Sequence, residues 1–286
     1  MSKNLYIAAT EAESGKSLVI LGLMNILTRH VKKVGFFRPI VQSPERGKDK
    51  DIDLISRKFN LPYGYESLYG ITNHEAHDLI QDGNMDEMFT AILDKYKKLE
   101  AQCDFILCEG TDYTGSLQPF EFDFNAQMAN NLGAPVIAVI NGNGKSVVDV
   151  ADTVQFIKSV LKKEKCQHIG VFVNRVRRED QLAISQFLEK FKTDNEIDFV
   201  IPEIGLLQKL TIRQIVNSLN AKLIYGDQGV LDYDVMGFKI GAMSLENILR
   251  YTEDGTVVIT PGDRTDVLVT LFMTLLSDNY PKIAGL

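Results

Sequence analysis

Glycine, lysine and serine at positions 15–17 are the residue types that cradle a phosphate: a bare backbone, an ammonium and a hydroxyl. They end the stretch "TEAESGKS" (10–17), which lies between an apolar run and a helix-forming run, the setting of the pattern G-x-x-x-x-G-K-[ST]. Gly15 lets main-chain N–H groups approach phosphate oxygens without a Cβ in the way. Lys16 is placed to reach the β- and γ-phosphates of a nucleotide such as ATP, and Ser17 to offer its hydroxyl to Mg²⁺. The positive end of the following helix adds a fixed attraction. The leading glycine of the pattern is absent: Thr10 stands there, with Ala9 before it. The cradle survives that change if neither position needs a positive φ.

Two further residues stand where such a ligand is handled. Glu109 closes the apolar run "DFILCEG" at the carboxyl end of a strand, the edge where open α/β sheets gather ligands. It either holds Mg²⁺, directly or through water, or is a solvated acid at a strand end. Asn174 in "VFVNRV" either hydrogen-bonds a base edge through its amide or forms a turn. His74 and His77 are three apart with no third ligand nearby, a poor metal pattern. Cys108, inside its apolar strand, is expected to be buried and inert.

The elements that position these residues alternate. Strands are expected at "NLYIAAT" (4–10), "KVGFFRPI" (33–40, ended by Pro39), "CDFILCEG" (103–110), "APVIAVING" (134–142), "HIGVFVNRV" (168–176) and "DFVIPEIG" (198–205). Helices are expected over 16–30, 51–59, 84–102, 124–133, 146–165 and 179–192, with a turn-rich loop at 42–50. Strands apolar throughout, alternating with helices, predict an α/β domain with a doubly wound, mostly parallel sheet over residues 1–210. After "TIRQIVNSLNAKLIYG" glycines gather at 226, 229, 237 and 241 and the strands shorten around "VMGFKIGA" and "TVVITPG". A second, smaller α/β domain therefore occupies 211–286. In "PGDRTDV", Asp263 or Thr265 is expected to cap the helix that follows, and Arg264 to pair with an anion, either a ligand phosphate or a neighbouring aspartate. The closing "KIAGL" reads either as a chain continuing into a longer polypeptide or as a last strand pairing in the sheet.

Composition narrows the function classes. With 286 residues, 45% of them hydrophobic, the chain has material for one large and one small core. A net charge of −7 argues against a nucleic-acid or anionic-membrane partner. No apolar run approaches the roughly 20 residues of a membrane span. Three cysteines at irregular spacing give neither a disulfide framework nor a zinc site, so a reduced cytoplasmic setting is expected.

"ATEAESGKS" (9–17) resembles the phosphate loop of dethiobiotin synthetases, "GTDTEVGKT", with Thr10, Glu13, Gly15 and Lys16 identical and Ser17 a conservative stand-in. The order downstream is similar too. "FRPIVQS" parallels that family's "KPV" strand end, "DKDID" (49–53) its metal-binding aspartate, Glu109 its second metal carboxylate, and "VNRV" its adenine-side asparagine. The resemblance, over roughly residues 1–210, implies a fold of the P-loop NTPase type. It implies nucleotide binding by Thr10, Glu13, Gly15, Lys16, Ser17, Arg38 and Asn174, and a Mg²⁺ site of Ser17, Asp53 and Glu109. Three departures count against the ligase chemistry: Arg38 for the family's lysine, "GTDYTGS" with Asp112 and Tyr113 for its glycine-rich turn, and Ala9 for its opening glycine.

The segment "MGFKIGAMSLENILRY…TVVITPGDRTDVLVTLF" resembles the small DRTGG-type domain, with "GDRTD" (262–266) at its signature. The two resemblances in this order are the amino-terminal arrangement of long bacterial phosphate acetyltransferases. They imply a region that binds a nucleotide or small anionic effector, helps assemble a homo-oligomer and precedes an acetyltransferase domain. The alternative is a stand-alone Mg-ATP-dependent ligase or ATPase of the dethiobiotin-synthetase type. There Lys16, Ser17, Asp53 and Glu109 position phosphates and metal, and Arg38 stabilises the transferring group.

Overall fold

A computed structural model describes residues 3–11, 14–42, 47–111, 121–193, 196–205 and 209–286. Its sheet is built from short apolar segments. β1 (Asn4–Ala9) is buried along its whole length, and α1 (Lys16–His30) follows it. Then come β2 (Val34–Val41), α2 (Lys50–Phe59), β3 (Tyr69–Thr72), α3 (Asn73–Gln81), α4 (Met85–Glu100) and β4 (Phe105–Glu109). The series closes with α5 (Glu121–Asn131), β5 (Val136–Asn141), α6 (Val147–Lys163), β6 (His168–Val176), α7 (Gln181–Phe191) and β7 (Phe199–Pro202). The seven strands lie in the order β3-β2-β4-β1-β5-β6-β7, and every pairing is parallel. Such strands bury both faces, which is why they read as unbroken apolar runs. Tyr6, Ile7, Phe36, Phe37, Leu107 and Val139 form the middle of that core.

The doubly wound, parallel α/β fold is as expected, with two corrections of detail. Pro39 does not end its strand: β2 runs on to Val41. Arg38 N–H points to Leu68 O on the β3 side, so position 39 faces β4, and pairing with β4 stops at Phe37↔Cys108. No partner there needs the N–H that proline lacks. The second correction is β3 with α3, for which the alternation above contains no element. The edge strand is only four residues long, and the sequence signal was the capping box, in which Thr72 and Glu75 bond reciprocally at the start of α3.

The chain divides into two compact units, Met1–Glu203 and Ile204–Leu286. The second contains α8 (Ile212–Leu219), β8 (Gly237–Ile240), α9 (Leu245–Tyr251), β9 (Thr256–Ile259) and α10 (Thr265–Leu275). β8 and β9 pair in parallel, and Ile248, Val258, Val267 and Leu271 form the small core between them and the helices. "KIAGL" pairs as a strand would: Ala284 N–H donates to Thr256 O, and Gly285 O accepts from Val258 N–H. α10 is not capped by a side chain. The turn before it closes main chain to main chain, Thr265 N–H to Asp263 O at 2.9 Å, so neither Asp263 nor Thr265 fills the expected role.

Candidate phosphate-binding site

The carboxyl end of β1 opens the loop, and its geometry follows from one residue. Gly15 sits at φ 80°, ψ 25°, immediately before α1, in a left-handed conformation that side chains disfavour. A Cβ there would also stand 2.0 Å from Asn174 Nδ2. Asn174 is the reason the loop is tight. From β6 its Nδ2 donates to Ser14 O at 2.9 Å, and the residue is buried. One of its amide N–H donors goes to the loop, so Asn174 braces the cradle, and its place inside β6 makes it no turn former. Beside the loop, Thr10 Oγ1 and Thr111 Oγ1 are buried hydroxyls with no hydrogen-bond partner among the described residues, polar capacity that protein interiors rarely leave unused. Glu13, Asp112 and Tyr113 lie outside the described residues.

Lys16 turns inward. Its Nζ donates to Gly110 O and lies 3.9 Å from Glu109 Oε1. The Gly110–Thr111 backbone is fixed by Asn125 of α5, whose Oδ1 accepts from Tyr6 Oη at 2.8 Å and from Thr111 N–H at 2.9 Å. Its Nδ2 donates to Thr111 O at 3.0 Å. A Cβ on Gly110 would lie 2.6 Å from Asn125 Oδ1, so glycine is needed at that strand end. Asn125 escaped the sequence reading; its signal was an amide directly between the apolar residues Phe124 and Ala126 in "FDFNAQMA".

The cations and acids meet next to Ser17. Arg38 Nη1 donates to Asp49 Oδ1 at 2.7 Å, to Asp49 Oδ2 at 2.8 Å and to Asp51 Oδ2 at 2.9 Å. Arg38 Nε lies 3.7 Å from Glu109 Oε2. Burial opposes the charge of this guanidinium, but Glu109, Asp49 and Asp51 outweigh it and hold its pKa above the ordinary arginine value. Asp49 is also the cap of α2, its Oδ1 accepting from the N–H groups of Asp51 and Ile52 at 3.1 Å each. Its own N–H donates to Tyr65 Oη at 2.7 Å.

Ser17 Oγ donates to Asp51 Oδ1 at 2.9 Å, and this displaces an expectation. Asp53, read as the metal-binding aspartate, points away and accepts from Arg57 Nε at 2.9 Å on the surface of α2. Two helical positions turn a side chain by about 200°, so only Asp51 faces the loop. The run "DKDID" carried the signal but not the choice within it. Sequence reading also missed Lys145, which follows β5 in "NGNGKS" and pairs with Glu11 of the loop.

Tested as a Mg²⁺ site, this donor set does not fit as it stands. Asp49 is filled by a helix cap and a guanidinium, Asp51 is shared between Ser17 and Arg38, and Glu109 lies between Lys16 and Arg38. Among the described residues no group of three or more His, Cys, Asp or Glu is arranged to hold a metal ion. His74 and His77 face Asp78 instead, at 3.6 and 4.0 Å on the surface of α3.

An AAA domain model matches residues 3–216. The chain belongs to that AAA domain family. A DRTGG domain model matches residues 214–279 of this AAA-family chain. Over its full length the chain is similar to phosphate acetyltransferases from Nitratidesulfovibrio vulgaris, 42% identical, and Synechocystis sp., 38% identical. In both cases it spans 41% of the relative's length. A nucleotide-binding protein from Archaeoglobus fulgidus, solved in complex with ADP, superimposes with a TM-score of 0.44 at 15% identity, covering 72% of this chain and 83% of that one. Among the described residues no helix is long and apolar enough to cross a membrane.

Proposed function

We propose that the loop at residues 10–17 binds the polyphosphate of a nucleotide, and that this chain is the amino-terminal regulatory and assembly region of a phosphate acetyltransferase. In that protein the exchange of acetyl-CoA and phosphate for acetyl phosphate and CoA belongs to the part of the relatives' length outside this match. The observation that carries the binding reading is the loop itself: left-handed Gly15 braced by Asn174, ahead of Lys16 and the start of α1, with two partnerless buried hydroxyls beside it. These groups together make an anion cradle. The 42% identity along the whole chain supports the regional assignment. A homo-oligomer fits the role of an assembly region, and three free cysteines fit a reducing cytoplasm.

The nucleotide takes the loop amides and Lys16, whose ammonium leaves Gly110 O to meet it. The rival reading, an ATP-dependent ligase or ATPase, needs Arg38 at the transferring group. The engagement of Arg38 with three carboxylates favours binding without that chemistry. Calorimetry with ATP tests the proposal: heat of binding is expected for the wild type and none for Lys16→Ala. Binding unaffected by Lys16→Ala would overturn the reading. ATP hydrolysis that Glu109→Gln abolishes would favour the ligase instead.

A further inference from the structure

Proteins that hold nucleotides on such loops commonly bring a divalent ion between the loop hydroxyl, the phosphates and nearby carboxylates. Here that space already contains a cation supplied by the chain. We infer that Arg38 is the built-in counter-ion of this site, and that the loop takes a nucleotide's polyphosphate without a divalent metal. The inference rests on the nucleotide-binding reading above and adds how the charge is balanced.

Three features of the arrangement lead there. First, one guanidinium touches or approaches three acids near Ser17: Asp49 at 2.7 Å, Asp51 at 2.9 Å and Glu109 at 3.7 Å. The Arg38 side chain is 9% exposed and that of Glu109 1%, so at close range this guanidinium takes up much of the attraction that the acids would otherwise offer a metal ion. Second, Arg38 is locked. Asp49 holds it with both oxygens while capping α2 and receiving its own fixed position from Tyr65. Swinging the guanidinium aside to admit an ion therefore leaves the buried carboxylate that caps α2 without its cation. Third, Mg²⁺ demands a nearly ideal octahedron of oxygens. Asp49 Oδ1 already accepts three hydrogen bonds, and the two oxygens of Asp51 are divided between Ser17 and Arg38. A planar guanidinium with several donors suits such a ring of acids better than a small hard ion.

The test uses the 286-residue chain. ATP is titrated calorimetrically in Mg²⁺ and again in EDTA, and Mn²⁺ binding without nucleotide is followed by electron paramagnetic resonance. The expected result is an ATP affinity that changes by less than about threefold between the two buffers, and no Mn²⁺ held by the wild type. Arg38→Met, which leaves the three acids without their cation, is expected to gain one Mn²⁺ per chain, and Asp51→Asn added to it to remove that ion. An affinity that falls about tenfold or more in EDTA overturns the inference while leaving the nucleotide reading intact. So does a wild-type Mn²⁺ site that Asp51→Asn abolishes. Absence of ATP binding in both buffers overturns the nucleotide reading itself. Should Arg38→Met fail to fold, the two wild-type measurements decide the matter alone.

Discussion

Each unit of this molecule contains an arginine bound to aspartate, and the two pairs do opposite things. Arg38 lies under the phosphate loop with its side chain 9% exposed, shared among Asp49, Asp51 and Glu109. Arg264, in the "GDRTD" signature of the small unit, holds Asp266 at 2.9 Å through both Nε and Nη2, yet its side chain is 32% exposed and that of Asp266 48%. It also reaches the carbonyls of Gly241 and Met243 at 3.5 and 3.4 Å. The chemical pairing is the same and the surroundings are not. In the large unit Asp49 and Glu109 are shut away from water, at 6% and 1% exposure, and only Asp51, at 28%, keeps some, so stranding the two buried acids is costly. In the small unit water replaces either partner, and the pair mainly fixes the conformation of a turn. A ligand phosphate is not needed to account for Arg264, because the neighbouring aspartate takes it.

Removing the buried cation breaks this comparison most sharply. Arg38→Met in metal-free buffer is expected to destabilise the large unit by about 3–5 kcal/mol, the cost of stranding buried charges, measured by urea unfolding monitored through hydrogen exchange in β2. Next in size is Gly15→Val, which combines a disfavoured backbone with a collision against Asn174. About 2 kcal/mol of stability and all ATP binding should go, read by the same unfolding assay and by calorimetry. Asn174→Ala removes the brace and leaves Ser14 O without its donor; about 1 kcal/mol and a several-fold weaker ATP affinity are expected. Arg264→Ala should change least. Its effect on the small unit's unfolding should fade further as salt approaches about 1 M, where screening extends only about 3 Å. The loss at Arg38 should persist in the same salt. An Arg264 variant as salt-resistant and as costly as the Arg38 one would erase the distinction between the two pairs.

Legibility in the sequence followed from how local each feature is. Unbroken apolar runs such as "NLYIAA" and "VIAVI" announce buried parallel strands because both faces of each are covered. The turn at Gly15, Lys16 and Ser17 was readable because its residues are contiguous between β1 and α1. Glu109 was placed by the run it terminates. The choice between Asp51 and Asp53 was not readable, since both lie in "DKDID" and only the rotation of α2 against Ser17 separates them. Asn174 was found, but its grip on the loop was not: a distance of 160 residues along the chain from Ser14 hides a contact of 2.9 Å. Asn125 and Lys145 reach the site from α5 and from the loop after β5, and only strand order β4-β1-β5-β6 brings their segments to one edge.

The sequence by itself therefore determined the alternation of strand and helix, the order of the two units and the glycine turn between β1 and α1, because each depends on neighbours along the chain and on the period of apolar positions. Tertiary structure alone decided which acids face the loop, that Arg38 sits among them, and that Asn174 grips Ser14. Those outcomes turn on distances between segments far apart in the chain, and on the burial that makes a charge pair indispensable in one unit and expendable in the other.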